Sequence, residues 1–137
     1  MPLHIIKLVV GIDTLDELAA WRRAREHADK DWRVHTRVTP KRAAEVEDGG
    51  SIYRVIKGVI VARQRILRIE THGEGRAARC QMVVSSELVR VAPTPRRPFQ
   101  GWRYLQPADA PPDLEPGDEA VHLPPALAAK LREMGAW

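Results

Sequence analysis

A single cysteine, Cys80, excludes a disulfide within this sequence, so packing and hydrogen bonds must hold the fold. One phenylalanine, two tyrosines and four tryptophans make the chain only 5 % aromatic, which makes any local concentration of rings informative. No run approaches the roughly 20 apolar residues of a membrane span. The opening Met-Pro-Leu-His-Ile-Ile-Lys-Leu-Val-Val is broken by His4 and Lys7 and has no small-residue cleavage site, so it does not read as a signal peptide. A soluble, cytoplasmic protein without a membrane partner is the expectation. The chain contains no CxxC, HExxH, GxSxG, Walker A or GxGxxG spacing, and its five histidines are scattered. No cofactor, metal or catalytic constellation is implied. A lone cysteine alternating with polar residues reads as a packing residue rather than a nucleophile.

Charge is present in quantity and unevenly spread. Residues 1–32 carry a net −1, residues 33–103 a net +9, and residues 104–137 a net −4, which together give the overall +4. A segment at +9 can hold a positive potential over one surface and gather polyanions. At 137 residues with 44 % hydrophobic content, one domain spanning 1–137 with a real core is expected.

Residues 3–10 read as a strand closed by Gly11. Thr14-Leu-Asp-Glu17 has the form of a capping box opening a helix over about 14–29. Trp32, Val34, Thr36 and Val38 alternate with Arg33, His35 and Arg37, a half-buried strand with a basic outer face. Thr39-Pro40 introduces a short helix over about 40–47. Residues 51–70 favour strand, divided at Gly58, and residues 78–84 return as its hairpin partner. A further short strand fits 87–92. Prolines then impose extended backbone, followed by an irregular, acidic, proline-rich connection at about 106–124 with solvated carboxylates at Asp109 and Asp113. Pro124-Pro125 begins a last helix over about 125–134. The expected architecture is α+β: a small, mostly antiparallel, partly closed β-barrel flanked by an N-terminal and a C-terminal helix.

Two groups of residues could carry function. Within residues 51–70, Arg54, Lys57, Arg63, Arg65 and Arg68 sit among apolar residues with Glu70 the only acid. They can protect an edge or pair with acids, or they can meet phosphate through the guanidinium fork. Arg96-Arg97-Pro98-Phe99-Gln100-Gly101-Trp102-Arg103-Tyr104 combines bases with three rings, which suits single-stranded nucleic acid, although Phe99 and Trp102 can equally anchor a core. The expected site is therefore Lys57, Arg63, Arg65, Arg96, Arg97, Gln100, Trp102, Arg103 and Tyr104.

Five segments together resemble a bacterial family, number 1489 in the domain-of-unknown-function series. They are Pro-Leu-His-Ile-Ile-Lys-Leu with Gly11, residues 49–58, Arg63-Gln-Arg-Ile-Leu67, residues 96–105, and residues 124–137. The resemblance implies no activity. This chain has Arg54 where the family pattern leads one to expect an aromatic beside Tyr53, which makes that position more basic. By architecture alone, a short basic barrel with flanking helices also looks PUA-like, a class in which many members bind RNA.

The leading expectation is an RNA- or nucleotide-binding domain, monomeric or homodimeric. Arg63, Arg65, Arg96, Arg97 and Arg103 would meet phosphate, and Trp102 or Tyr104 would stack on a base. The alternatives are a small enzyme acting on an anionic metabolite or nucleotide, or a protein-interaction module. The enzyme would use Lys57, Arg63 and Arg65 as anion grip and Glu70 or His35 as general base.

Overall fold

Alternating apolar residues build a sheet with two covered faces. The computed structural model describes residues 2–9, 14, 17–18, 20, 32–97 and 99–114. Within these lie seven strands and one short α-helix: β1 (His4–Leu8), β2 (Trp32–Thr36), α1 (Ala43–Glu47), β3 (Ser51–Ile56), β4 (Val59–His72), β5 (Arg79–Val84), β6 (Val89–Pro95) and β7 (Trp102–Leu105). The order across the sheet is β2-β5-β4-β3-β1-β7, with β6 pairing β4 off that path.

The hairpins follow from local chemistry. Lys57 and Gly58 join β3 to β4 with φ of 49° and 78°. Two successive positive φ values make a turn whose twist matches the flanking strands. Its first position holds a lysine, at a steric cost of about 1 kcal/mol. Strand β4 outruns β3, which it pairs from Ile56↔Val59 to Ser51↔Arg65, and from Ile66 onward it pairs β5. A register shift between Ile66 and Arg68 leaves Leu67 exposed. Strand β1 enters parallel to β3 (Ile5↔Ile52), and β7 adds antiparallel to β1 (Lys7↔Trp102). Strand β6 tolerates Pro93 and Pro95 because β4 is its only strand partner and its other edge carries just the isolated Val91↔Asp113 bridge, so the missing N–H groups interrupt no second ladder.

One face of the sheet buries Ile5, Ile52, Ile56, Ile66, Met82 and Cys80, with Trp32 and Val46 packed over them. The other buries Ile6, Tyr53, Val55, Ile60, Val91 and Leu105. Each buried isoleucine contributes on the order of 1.5–3 kcal/mol. Gly50 is a close approach: an added Cβ would lie 2.3 Å from the Leu3 carbonyl and 2.4 Å from that of Val46.

The expected barrel is overturned. The sheet is open, since no ladder joins β2 to β7, and the sole α-helix among the described elements is the five-residue α1. Closure was expected of many short strands, whereas the fourteen-residue β4 carries three partners along its length, and among the described residues β2 and β7 end the order with no strand beyond them. Of the helix expected over 14–29, only the opening is described. There Thr14 Oγ1 accepts the Glu17 N–H at 3.0 Å and Leu18 is buried. Its remainder, and the helix expected over 125–134, lie outside the described residues. Residues 106–114 are also more ordered than their composition implied. Leu114 N–H donates to the Arg90 carbonyl at 2.9 Å, Val91 bridges Asp113, and Pro111 is buried.

Candidate functional site

Strand direction decides which cations meet. β1, β3 and β6 end where β4 and β7 begin, so Lys7, Lys57, Arg96, Arg97 and Arg103 gather at one end of the sheet. The Arg96 N–H donates to the Gly58 carbonyl at 2.8 Å, tying the 96–97 segment to the Lys57 turn. The end of β2 arrives from across the fold, where the Val38 carbonyl accepts the Trp102 indole N–H at 2.8 Å. This brings Arg37 and His35 to the same place.

Two adjoining pockets open here. One, of about 520 Å³, is walled by Lys7, His35, Arg37, Gln100, Trp102 and Arg103 together with Thr36, Val38 and Gly101. The other, of about 570 Å³, is walled by Pro95, Arg96, Arg97, Phe99, Arg103 and Tyr104. Arg103 belongs to both, and among the described residues no carboxylate lies in either wall. Its guanidinium sits 5.8 Å from the Phe99 ring centroid, while Nη1 donates to the carbonyls of Gln100 and Trp102, both at 2.9 Å. It is held in place without being neutralised.

The two rings differ. Trp102 is half-buried, pinned by its indole N–H and by an edge-on contact with Tyr104 at 5.0 Å, and it forms part of the 520 Å³ pocket wall. Tyr104 is engaged from both sides. Its hydroxyl accepts the Arg42 N–H at 3.1 Å, and the Arg42 guanidinium lies 5.8 Å from its ring centroid. Arg42 is in turn bound to Glu45. Trp102 keeps part of its ring open to the 520 Å³ pocket.

Of the expected site, Lys57, Arg96, Arg97, Gln100, Trp102, Arg103 and Tyr104 lie at this end. Arg63 and Arg65 do not; they stand about 13–20 Å further along β4 at 3.3 Å per residue. Arg63 is spent on Asp113, with Nε to Oδ1 at 2.7 Å and Nη2 to Oδ2 at 2.6 Å, and Nη1 donates to Ser51 Oγ at 3.2 Å. That bidentate bond holds the Asp113 carboxyl below its usual range. The solvated reading of Asp113 is thereby corrected: the buried Pro111 and the Val91 bridge carry it to Arg63.

Arg63 and Arg65 instead flank a cavity of about 410 Å³ with His4, Ser51 and Tyr53. His4 Nδ1 accepts the Ser51 N–H at 3.0 Å, which fixes a neutral ring with its proton on Nε2. Burial, and then the Arg63 charge, lower its pKa.

The residues suggested for an enzyme are not assembled. Glu70 accepts from Arg68 at 2.6 Å and from Arg33 at 2.8 Å, and meets His72 at 2.9 Å. These bonds lower its pKa to about 2, so it is no base at neutral pH. Among the described residues, no group of three or more His, Cys, Asp or Glu could hold a metal ion, and no helix is long and apolar enough to cross a membrane.

Lys7 and Arg37 join this end without having been expected there. The signal for Lys7 is present in the sequence: a single base in an otherwise apolar strand. Arg54 has the same signature in β3, and it is the most deeply buried cation described.

A family model described as "Protein of unknown function (DUF1489)" matches residues 5–137. The chain belongs to that family. No curated protein and no solved structure matches it. Family membership therefore names no ligand, and the DUF1489 chain must be read from its own geometry.

Proposed function

We propose that this DUF1489 chain binds RNA or a nucleotide at the end of the sheet formed by Lys7, Arg37, Lys57, Arg96, Arg97 and Arg103. The observation that carries this reading is the pair of adjoining pockets that share Arg103 and have cations but no acid in their walls. Pockets of this size suit a nucleotide. Arginine forks match phosphate oxygens, and a fixed half-open indole offers a base a stacking face worth about 1–3 kcal/mol. The half-open Trp102 ring favours an unpaired strand, whose bases are free to stack, over a duplex.

The test is fluorescence anisotropy with a short single-stranded RNA at about 50 and about 200 mM salt. The expected result is micromolar or tighter binding that weakens steeply with salt. Trp102→Ala should weaken binding about tenfold without changing the salt slope, because it removes stacking and no phosphate contact. Absence of salt-sensitive binding at micromolar protein rejects the proposal.

A further inference from the structure

Lys7 and Arg54 are register partners on the parallel strands β1 and β3, so their side chains leave the sheet on the same face, about 4.8 Å apart at the backbone. Their neighbours along the two strands are apolar, Ile5 and Val9 beside Lys7, and Ile52 and Ile56 beside Arg54, with the buried Gln64 on the adjoining strand β4. Arg54 is buried. Its Nη1 donates to Gln64 Oε1 at 3.1 Å, its guanidinium lies 6.0 Å from the Trp32 ring centroid, and its Nε has no partner. Among the described residues neither Lys7 nor Arg54 meets a carboxylate.

Burial lowers the Arg54 pKa to about 10, which still leaves it charged at neutral pH. Burial and the Arg54 charge together lower Lys7. A buried Arg54 beside a half-buried Lys7, neither with a counter-charge among the described residues, opposes folding, and an apolar pair would fill the same positions without that cost. The arrangement gains a purpose if a ligand brings the missing negative charge. The 520 Å³ pocket opens on Lys7, beside Thr36, Trp102 and Arg103.

We infer that this pocket takes a terminal phosphomonoester of a nucleotide or RNA end, in preference to the phosphodiesters of a chain interior. The inference rests on the reading that this end of the sheet holds RNA or a nucleotide, and it names the group recognised. A monoester carries about −1.5 to −2 at neutral pH, whereas a diester carries a single charge. The monoester can offset both Lys7 and the field of Arg54 one strand over. A diester leaves one of the two cations uncompensated.

The experiment compares short RNAs of one sequence bearing a 5′-phosphate, a 3′-phosphate or hydroxyls at both ends. Nucleoside monophosphate, nucleoside and inorganic phosphate serve as competitors. A terminal phosphate at one end should tighten binding by roughly tenfold to a hundredfold, the range for a hydrogen bond to a charged group. Lys7→Met should abolish that advantage, so that the phosphorylated and hydroxyl-ended RNAs bind equally, and should lower the affinity for both. Arg76→Gln, at the far β4–β5 turn, removes the same charge from the molecule and should change neither. Arg54→Met should reduce the advantage; if that variant does not fold, Lys7→Met carries the test alone.

Equal affinity for phosphorylated and hydroxyl-ended RNA overturns the inference while the RNA reading stands. Tight binding of the mononucleotide, abolished in Lys7→Met, upholds the inference even where no RNA binds. Inorganic phosphate competing as well as the mononucleotide overturns it in favour of a simple anion site. Failure of every phosphorylated probe to bind overturns it outright.

Discussion

The two ends of β4 treat arginine in opposite ways. Towards and beyond the Leu67 bulge, several cations are matched: Arg63 with Asp113, and Arg33 and Arg68 with Glu70, which also holds His72. At the Lys57 turn, the walls of both pockets contain cations and no acid. A net charge of +9 over residues 33–103 therefore describes two different situations. In one the charge is cancelled locally and serves the fold. In the other it remains as a field over two concavities, where it can act on a solvated anion. Composition counts both alike, and only the position of the acids separates them.

The largest effect expected from this contrast is on binding. Replacing Arg96, Arg97 and Arg103 together by Gln should weaken RNA binding about a hundredfold at low salt and flatten the salt slope by about 0.7 for each phosphate no longer neutralised. All three side chains are exposed, so the urea midpoint should barely move. Anisotropy titrations at several salt concentrations, beside urea unfolding, measure both; unchanged binding removes these arginines from the interface. Asp113→Ala should do the reverse. It breaks the bidentate bond to Arg63 and costs about 1 kcal/mol, the upper range for a pair this open to solvent. RNA affinity should stay the same, and a large drop in affinity would mean that the two ends are coupled.

Arg54→Met tests whether the buried cation serves packing or ligand. Removing a buried charge that has no acid partner should leave stability unchanged or raise it by about 1 kcal/mol. A loss of several kcal/mol in urea unfolding would show that the Gln64 hydrogen bond and the Trp32 contact make Arg54 a brace of the core.

The sequence carried much of the sheet and little of its assembly. The strands expected over 32–38, 51–70 with its Gly58 break, and 78–84 appear as Trp32–Thr36, Ser51–Ile56 and Val59–His72, and Arg79–Val84. The hairpin expected over 59–84 is the β4–β5 pair. Periodicity does not encode strand order, so the parallel β1–β3 pairing and the open sheet were out of reach. The site divided on the same line. Arg96 to Tyr104 was legible because rings and bases crowd nine residues. The pairing that neutralises Arg63 depends on Asp113, 50 residues further on. Nothing local to Asp113 shows that a buried Pro111 and a bridge to Val91 will deliver it. Lys7 and Arg54 were concealed for another reason: a lone base in an apolar strand becomes meaningful only once the register sets two of them side by side.

The smallest effects concern pH, and they fall in two windows on the matched side of the molecule. His4 has a folded pKa below its ordinary value of 6.5 because burial and Arg63 disfavour its charged form. Below pH 6.5 the unfolded chain therefore binds a proton that the folded chain resists, and stability falls as the pH drops through that point. Protonation would also remove the Nδ1 lone pair that accepts the Ser51 N–H. Glu70 is depressed from 4.5 to about 2 by Arg68, Arg33 and His72, so its contribution is present above pH 4.5 and fades as the pH falls towards 2. Urea midpoints measured at closely spaced pH values should show both declines. His4→Phe should flatten only the upper one and Glu70→Gln only the lower, because the two groups share no partner. A midpoint that stays level between pH 7 and 5 in the wild type would mean that His4 is not held neutral by the fold, and the tautomer assigned through Ser51 would fall with it.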